Sequence, residues 1–231
     1  MWASGASCSP KEYTGDSSSH RPPHPPGPLT KFELEGKHME FMLALWLPVL
    51  LSAAAVWIVS AIAWMALPHH KRDFIGLPGP GGEGSFMEYL RTSGIKPGNY
   101  AFPDCHAPGA MKSEKVQKAW QEGPVGHLSV WRTPLTMGDK MVATFVVYLV
   151  VSTLIAYLTR VALPGAAGTT PPSFARVFQV AGTAGVLAYC FSFIPNAVWW
   201  GSYRRTIVAN VVDGLVYGAI TGAIFAWLWP R

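Results

Sequence analysis

The chain has 231 residues, half of them hydrophobic and only 13% charged, with a formal net charge of +5. Soluble domains carry about a quarter charged residues, so this composition excludes an ordinary water-soluble protein and points to lipid surroundings. The positive balance reads as lysines and arginines facing anionic lipid, with no nucleic-acid partner.

Residues 1–38 are rich in Ser, Pro, Gly and His, including the serine run 17–19 and the stretch Pro22-Pro23-His24-Pro25-Pro26. Such a segment buries too little apolar surface to offset chain entropy. It is expected to be a disordered tail, or a start-site artefact if translation begins at Met39 or Met42. The first apolar stretch, 42–67, is long enough to cross the hydrocarbon as a helix.

Segment 68–140 is polar and basic, and its punctuation predicts a small α+β module. A helix is expected over 85–91, where Phe86, Tyr89 and Leu90 follow helical spacing, and a strand over 100–102. Ser113 is expected to cap a second helix running to Trp120, which Gly123-Pro124 ends, before a second strand over 125–131. Lys112, Lys115 and Lys118 share one helix face, which reads as a solvated face or a headgroup contact.

Three further apolar stretches, 141–163, 174–200 and 206–229, complete four predicted transmembrane helices. Tryptophans 46, 64, 199, 200, 227 and 229 stand near span ends, where an amphipathic indole favours the headgroup layer. The expected architecture is therefore an all-α, multi-pass membrane protein with a small α+β module between helices 1 and 2. Arg204 and Arg205 lie on the same side as the basic module, so the positive-inside rule puts 68–140 in the cytoplasm and both termini outside.

Asp213 is the one acid inside these spans, a costly residue in hydrocarbon and hence a functional suspect. Ser60, Tyr148 and Ser192 stand at a similar depth, with Thr144, Asn196 and Asn210 a turn nearer the surface, and these groups are expected to form a buried polar layer around it. Gly214, Gly218 and Gly222 make a doubled GxxxG, and Ala181 and Gly185 offer a matching small surface; the expectation is helix packing within the chain, or a seam to a membrane-protein partner or a second copy. Asp104-Cys105-His106, with His69, His70 or His127, is the cluster resembling metal or thiol chemistry. No CxxC, CxxCH or HExxH accompanies it, and the three cysteines, 8, 105 and 190, make no disulfide framework. No cofactor is predicted.

Several motifs together resemble a family of small bacterial inner-membrane proteins with no assigned function. They are Trp46-Leu47-Pro48, Leu67-Pro68-His69-His70 with Arg72-Asp73, Pro97-Gly98 before Tyr100, Phe102-Pro103, Gly123-Pro124, Asp213-Gly214-Leu215 with Tyr217-Gly218, and the closing Trp227-Leu228-Trp229-Pro230-Arg231. The likeness runs from about Leu45 to the C-terminus, and the Gly/Pro-rich stretch 79–84 departs from it. It implies a bacterial inner-membrane protein and no catalytic residues.

The leading functional expectation is a non-enzymatic accessory or scaffold protein. The alternatives are a transporter or channel component using Asp213 as a proton or cation site, and a membrane-anchored metal or thiol enzyme centred on Cys105 and His106.

Overall fold

The structure, a computed structural model, describes residues 43–79, 81–163 and 171–230. The tail expected over 1–38 lies outside the described residues. Four helical segments are long and apolar enough to cross a membrane: Trp46–Met65, Met137–Ala162, Phe174–Trp199 and Arg204–Trp227. We label the helices α1 (Trp46–Met65), α2 (Gly82–Thr92), α3 (Glu114–Glu122), α4 (Met137–Ala162), α5 (Phe174–Val186), α6 (Ile194–Trp199) and α7 (Arg204–Trp227).

Many large apolar side chains on these helices point outward, among them Ile58, Val150, Leu154 and Leu158, each about half exposed. In water that would be costly. In a bilayer it is the rule, because a helix satisfies its own backbone polar groups and can turn its side chains to lipid.

The third span is not one continuous helix. Between α5 and α6 the chain widens into a π-turn, Leu187–Phe191, and Pro195 stands at the start of α6. Proline has no N–H to give to the Phe191 carbonyl, and its ring crowds that turn, so the regular ladder cannot run through. The consequence is local: Cys190 is brought against α7.

Helices α5 and α7 approach to backbone contact. A Cβ built on Gly214 would stand 2.7 Å from Cys190 Cα, one on Gly218 2.7 Å from Val186 N, and one on Gly222 2.9 Å from Gly182 Cα. Only residues without a Cβ fit these three places. Ala181 and Gly185 are buried on α5, and a Cβ on Gly185 would lie 2.9 Å from Gly218 Cα.

At one end of the bundle an apolar core gathers Leu45, Ile155, Val177, Ala181, Phe225 and Trp229. Towards the middle, Ser52 of α1 donates to Ser152 of α4 at 3.0 Å, a fully buried hydroxyl pair that ties the two helices. The opposite end, where α1 stops and α7 starts, is polar and holds the site described below.

Between α1 and α4 lies the small module. Strands β1 (Gly98–Phe102) and β2 (Gly126–Val130) pair antiparallel, with Tyr100 opposite Leu128 and Phe102 opposite Gly126. The Phe102 ring lies over Gly126, where a Cβ would meet it at 2.9 Å. Ser113 occupies the position before α3 with extended backbone, but its side chain makes no capping hydrogen bond, unlike the expectation from sequence.

Candidate metal centre

The site begins where α1 ends. Pro68 disfavours helical backbone in the residue before it, so the helix stops by Met65. Residues 68–73 then coil back in two tight turns, closed by Lys71 N–H to the Pro68 carbonyl (3.2 Å) and Asp73 N–H to the His70 carbonyl (3.0 Å). The coil is pinned to the start of α7. Arg205 donates to the His69 carbonyl at 2.7 Å, and the Thr206 hydroxyl donates to Asp73 Oδ1 at 3.0 Å.

This fold-back carries two imidazoles onto Asp213, nine positions into α7. His69 Nε2 lies 3.0 Å from Asp213 Oδ1, and His70 Nε2 lies 3.0 Å from Asp213 Oδ2. One ligand atom from each of the three residues lies within 4.8 Å of the others. On its far side, His70 Nδ1 meets Asp73 Oδ2 at 2.6 Å. Trp64 stacks flat on the His70 ring, with centroids 3.9 Å apart and planes 4° apart. The Tyr217 hydroxyl reaches Asp213 Oδ2 at 3.4 Å, too long for a strong bond.

Burial makes these contacts matter. The side chains of His70 and Asp73 are 1% and 3% exposed, that of Asp213 12%, and that of His69 31%. Both nitrogens of His70 face carboxylate oxygens, so with both carboxylates ionised the ring must donate from both and be an imidazolium. Burial opposes that charge, but hydrogen bonds to Asp73 and Asp213 and their negative fields outweigh it and raise the His70 pKa. For Asp73, burial pushes upward, while hydrogen bonds from His70 and Thr206 and the fields of His70 and Arg205 outweigh it and lower the pKa.

These shifts fix a pH dependence for the metal-free protein. The His70 contribution is complete below its unfolded value of about 6.5 and is lost as pH rises through its higher folded value. That of Asp73 is present above about 3.9 and is lost as pH falls through its lower folded value. Thermal unfolding of chelator-treated protein should therefore show a plateau between about pH 4 and 6.5 and a decline on the alkaline side. Asp73→Asn should flatten that decline.

Two imidazoles and a carboxylate are also a donor set for a divalent transition metal. Ligand atoms ~2.0–2.1 Å from a tetrahedral zinc lie about 3.3 Å apart; here each imidazole stands 3.0 Å from a different oxygen of Asp213, and one ligand atom from each residue lies within 4.8 Å of the others. Asp73 beside the second nitrogen of His70, at 2.6 Å, is placed as the carboxylate of a carboxylate–histidine–metal arrangement would be, where it orients a ligating ring and raises its basicity. Three protein ligands leave at least one position for water or another molecule.

The expectation that no cofactor is present is therefore corrected: His69, His70 and Asp213 form a candidate metal-binding site. His69 and His70 belong to it, but Cys105 and His106 do not. Among the described residues His106 bonds to Asp104 alone, at 3.0 Å from its backbone N–H and 3.2 Å from Nδ1, and both side chains are more than 70% exposed. There the Asp104 carboxyl is held below its usual range, chiefly by the His106 backbone N–H.

Of the residues expected around Asp213, Tyr148 and Asn210 share with it a cavity of about 250 Å³. Ser60 donates to the Trp57 carbonyl, Ser192 to that of Ala188 and Asn210 to that of Thr206, each within its own helix. Asn196 accepts from the Trp200 indole, and Ser192 and Asn196 are exposed. Asp213 itself is met by His69, His70 and Tyr217, with Trp64 and Arg205 lining cavities beside it, while Asp73 and Thr206 stand behind His70; none of Trp64, Asp73, Arg205 and Thr206 was expected at the site. The available signal was His70 with Asp73 three residues on, directly after the proline that ends α1.

Comparison with protein-family models, with curated proteins and with solved structures finds no match to this chain, which stands as a multi-pass, largely helical membrane protein.

Proposed function

We propose that the protein is a membrane-embedded metalloprotein in which His69, His70 and Asp213 hold a divalent transition metal at one end of the helix bundle. The observation that carries this reading is Asp73 on the rear nitrogen of His70, because the orienting partner of a metal-bound imidazole is already in place. An open position on such an ion can bind water and lower its pKa, or polarise a substrate oxygen. That chemistry favours a metal-dependent enzyme over a scaffold whose only role is helix packing. Exposed Lys71, Arg72, Arg204 and Arg205 support a cytoplasmic side for the same end under the positive-inside rule.

A second reading has its own support. With His70 charged, Asp73–His70–Asp213 is a self-sufficient ion network that locks the 68–73 coil to α7 without any metal. Metal analysis of protein purified without chelator and dialysed against limiting zinc separates the two. The metal reading expects about one ion per chain, lost in Asp213→Asn. Asp73→Asn should retain the ion but weaken its affinity ~10–100-fold, as removal of an orienting partner does. A protein that takes up no metal while remaining folded would leave the ion network as the function of these residues.

A further inference from the structure

Asp213 and His69 are reached from a groove that opens on the lipid-facing side of the bundle. It measures about 510 Å³, within the ~300–1,000 Å³ typical of small-ligand sites, and runs between α1 and α7. Its walls are Val59 and Ile62 on one side and Val208, Val212 and Val216 on the other, so it is almost wholly apolar along its length. Its lining also includes His69, Arg205 and Asp213, the polar group of the proposed centre. The chain flanking the site on both sides is basic and exposed, at Lys71 and Arg72 after α1 and at Arg204 and Arg205 at the start of α7. The acids nearby, Asp73 and Asp213, are already engaged by His70 and Arg205.

An apolar trough with Arg205 and the histidine–aspartate centre at its polar end matches one kind of molecule. We propose that the centre takes an anionic, phosphate-bearing amphiphile that enters sideways from the bilayer. Its chain lies in the α1–α7 groove and its headgroup meets Arg205 and the ion held by His69, His70 and Asp213. The proposal rests on the metal-centre reading for the second of these headgroup contacts. Arg205 gives Nη2 to the His69 carbonyl and holds Nη1 3.7 Å from Asp73 Oδ1, and of its five N–H donors those left over can meet a phosphate oxygen.

Native mass spectrometry of the full chain in detergent, with zinc present, tests it. The probes are a lysophosphatidate, the lysophosphatidylcholine of the same chain length, and inorganic phosphate. The lysophosphatidate should be retained about tenfold more strongly than the zwitterionic lipid, as expected of charge-assisted pairing. Arg205→Gln should remove that preference. Val208→Trp, at a lipid-facing position, should fill the groove and lower lysophosphatidate retention about tenfold while leaving bound zinc unchanged.

Equal retention of both lipids would overturn the proposal in favour of ordinary boundary lipid. Displacement of the lysophosphatidate by inorganic phosphate at equal concentration would overturn it in favour of a headgroup site without a chain groove. A second copy of the chain that excludes lipid and is released by Val208→Trp would assign the groove to a helix instead. Zinc is read in the same spectra, so the two readings fail separately. Lipid selectivity without zinc contradicts the metal centre and sustains the groove, and zinc without lipid selectivity does the reverse.

Discussion

Gly218→Leu is expected to stop the bundle from assembling. A Cβ at this place already lies 2.6 Å from Val186 Cγ2 and 2.7 Å from Val186 N, and a leucine adds three more carbons beyond it. The nearest atoms include backbone, so α5 and α7 must separate along their whole contact. Overpacking against mobile side chains costs roughly 1–3 kcal/mol; displacement of a backbone should exceed the upper end. Separation also turns Asp213 away from the two histidines, because Gly214 against Cys190 sets the rotation of α7 just beside it. The measurement is the monodisperse yield in detergent together with the thermal midpoint. Gly138→Leu is the control, since nothing lies within 4 Å of a Cβ there, and it should change stability by no more than about 0.5 kcal/mol.

The second large effect is expected from His70→Ala. It removes the ring that faces both carboxylates, leaving Asp73 and Asp213, among the described residues, with Arg205, His69, Thr206 and Tyr217 as partners. Breaking a buried ion pair by deleting one member typically costs about 3–5 kcal/mol, mostly from the charge left behind. Adding Asp73→Asn to His70→Ala should return part of that loss, a coupling that a double-mutant cycle measures directly. Metal affinity should not recover in the double variant, because the ligand itself is gone. Cys105→Ser and His106→Ala, made in an exposed loop, should leave both metal content and stability unchanged.

The parts of the fold that could be read beforehand are those governed by local pattern. Four long apolar runs separated by polar residues specify four spanning helices, and alternation around Leu128 specifies a strand, because each depends only on neighbours in sequence. Asp213 stood out because an acid in hydrocarbon is costly wherever it points. His69 and His70 also stood out as metal ligands, but grouped with Cys105 and His106; their pairing with Asp213 was not legible, since they are 144 and 143 residues away and arrive through a coil that doubles back after Pro68. Depth along ideal helices pointed to Ser60 and Ser192 instead. Those hydroxyls are satisfied by carbonyls of the preceding turn, the usual fate of serine inside a helix. The π-turn at Leu187–Phe191 also shifts the register of the third span, so equal counting from the two ends does not give equal depth.

The most direct test is X-ray absorption at the zinc edge on the purified, zinc-loaded protein. A centre built from His69, His70 and Asp213 predicts a first shell of nitrogen and oxygen near 2.0–2.1 Å, with the outer-shell scattering of two imidazoles and no sulfur. In Asp213→Asn at the same zinc concentration that signal should collapse to that of hydrated ion. A sulfur shell near 2.3 Å would place the metal on cysteine instead and contradict the centre described here.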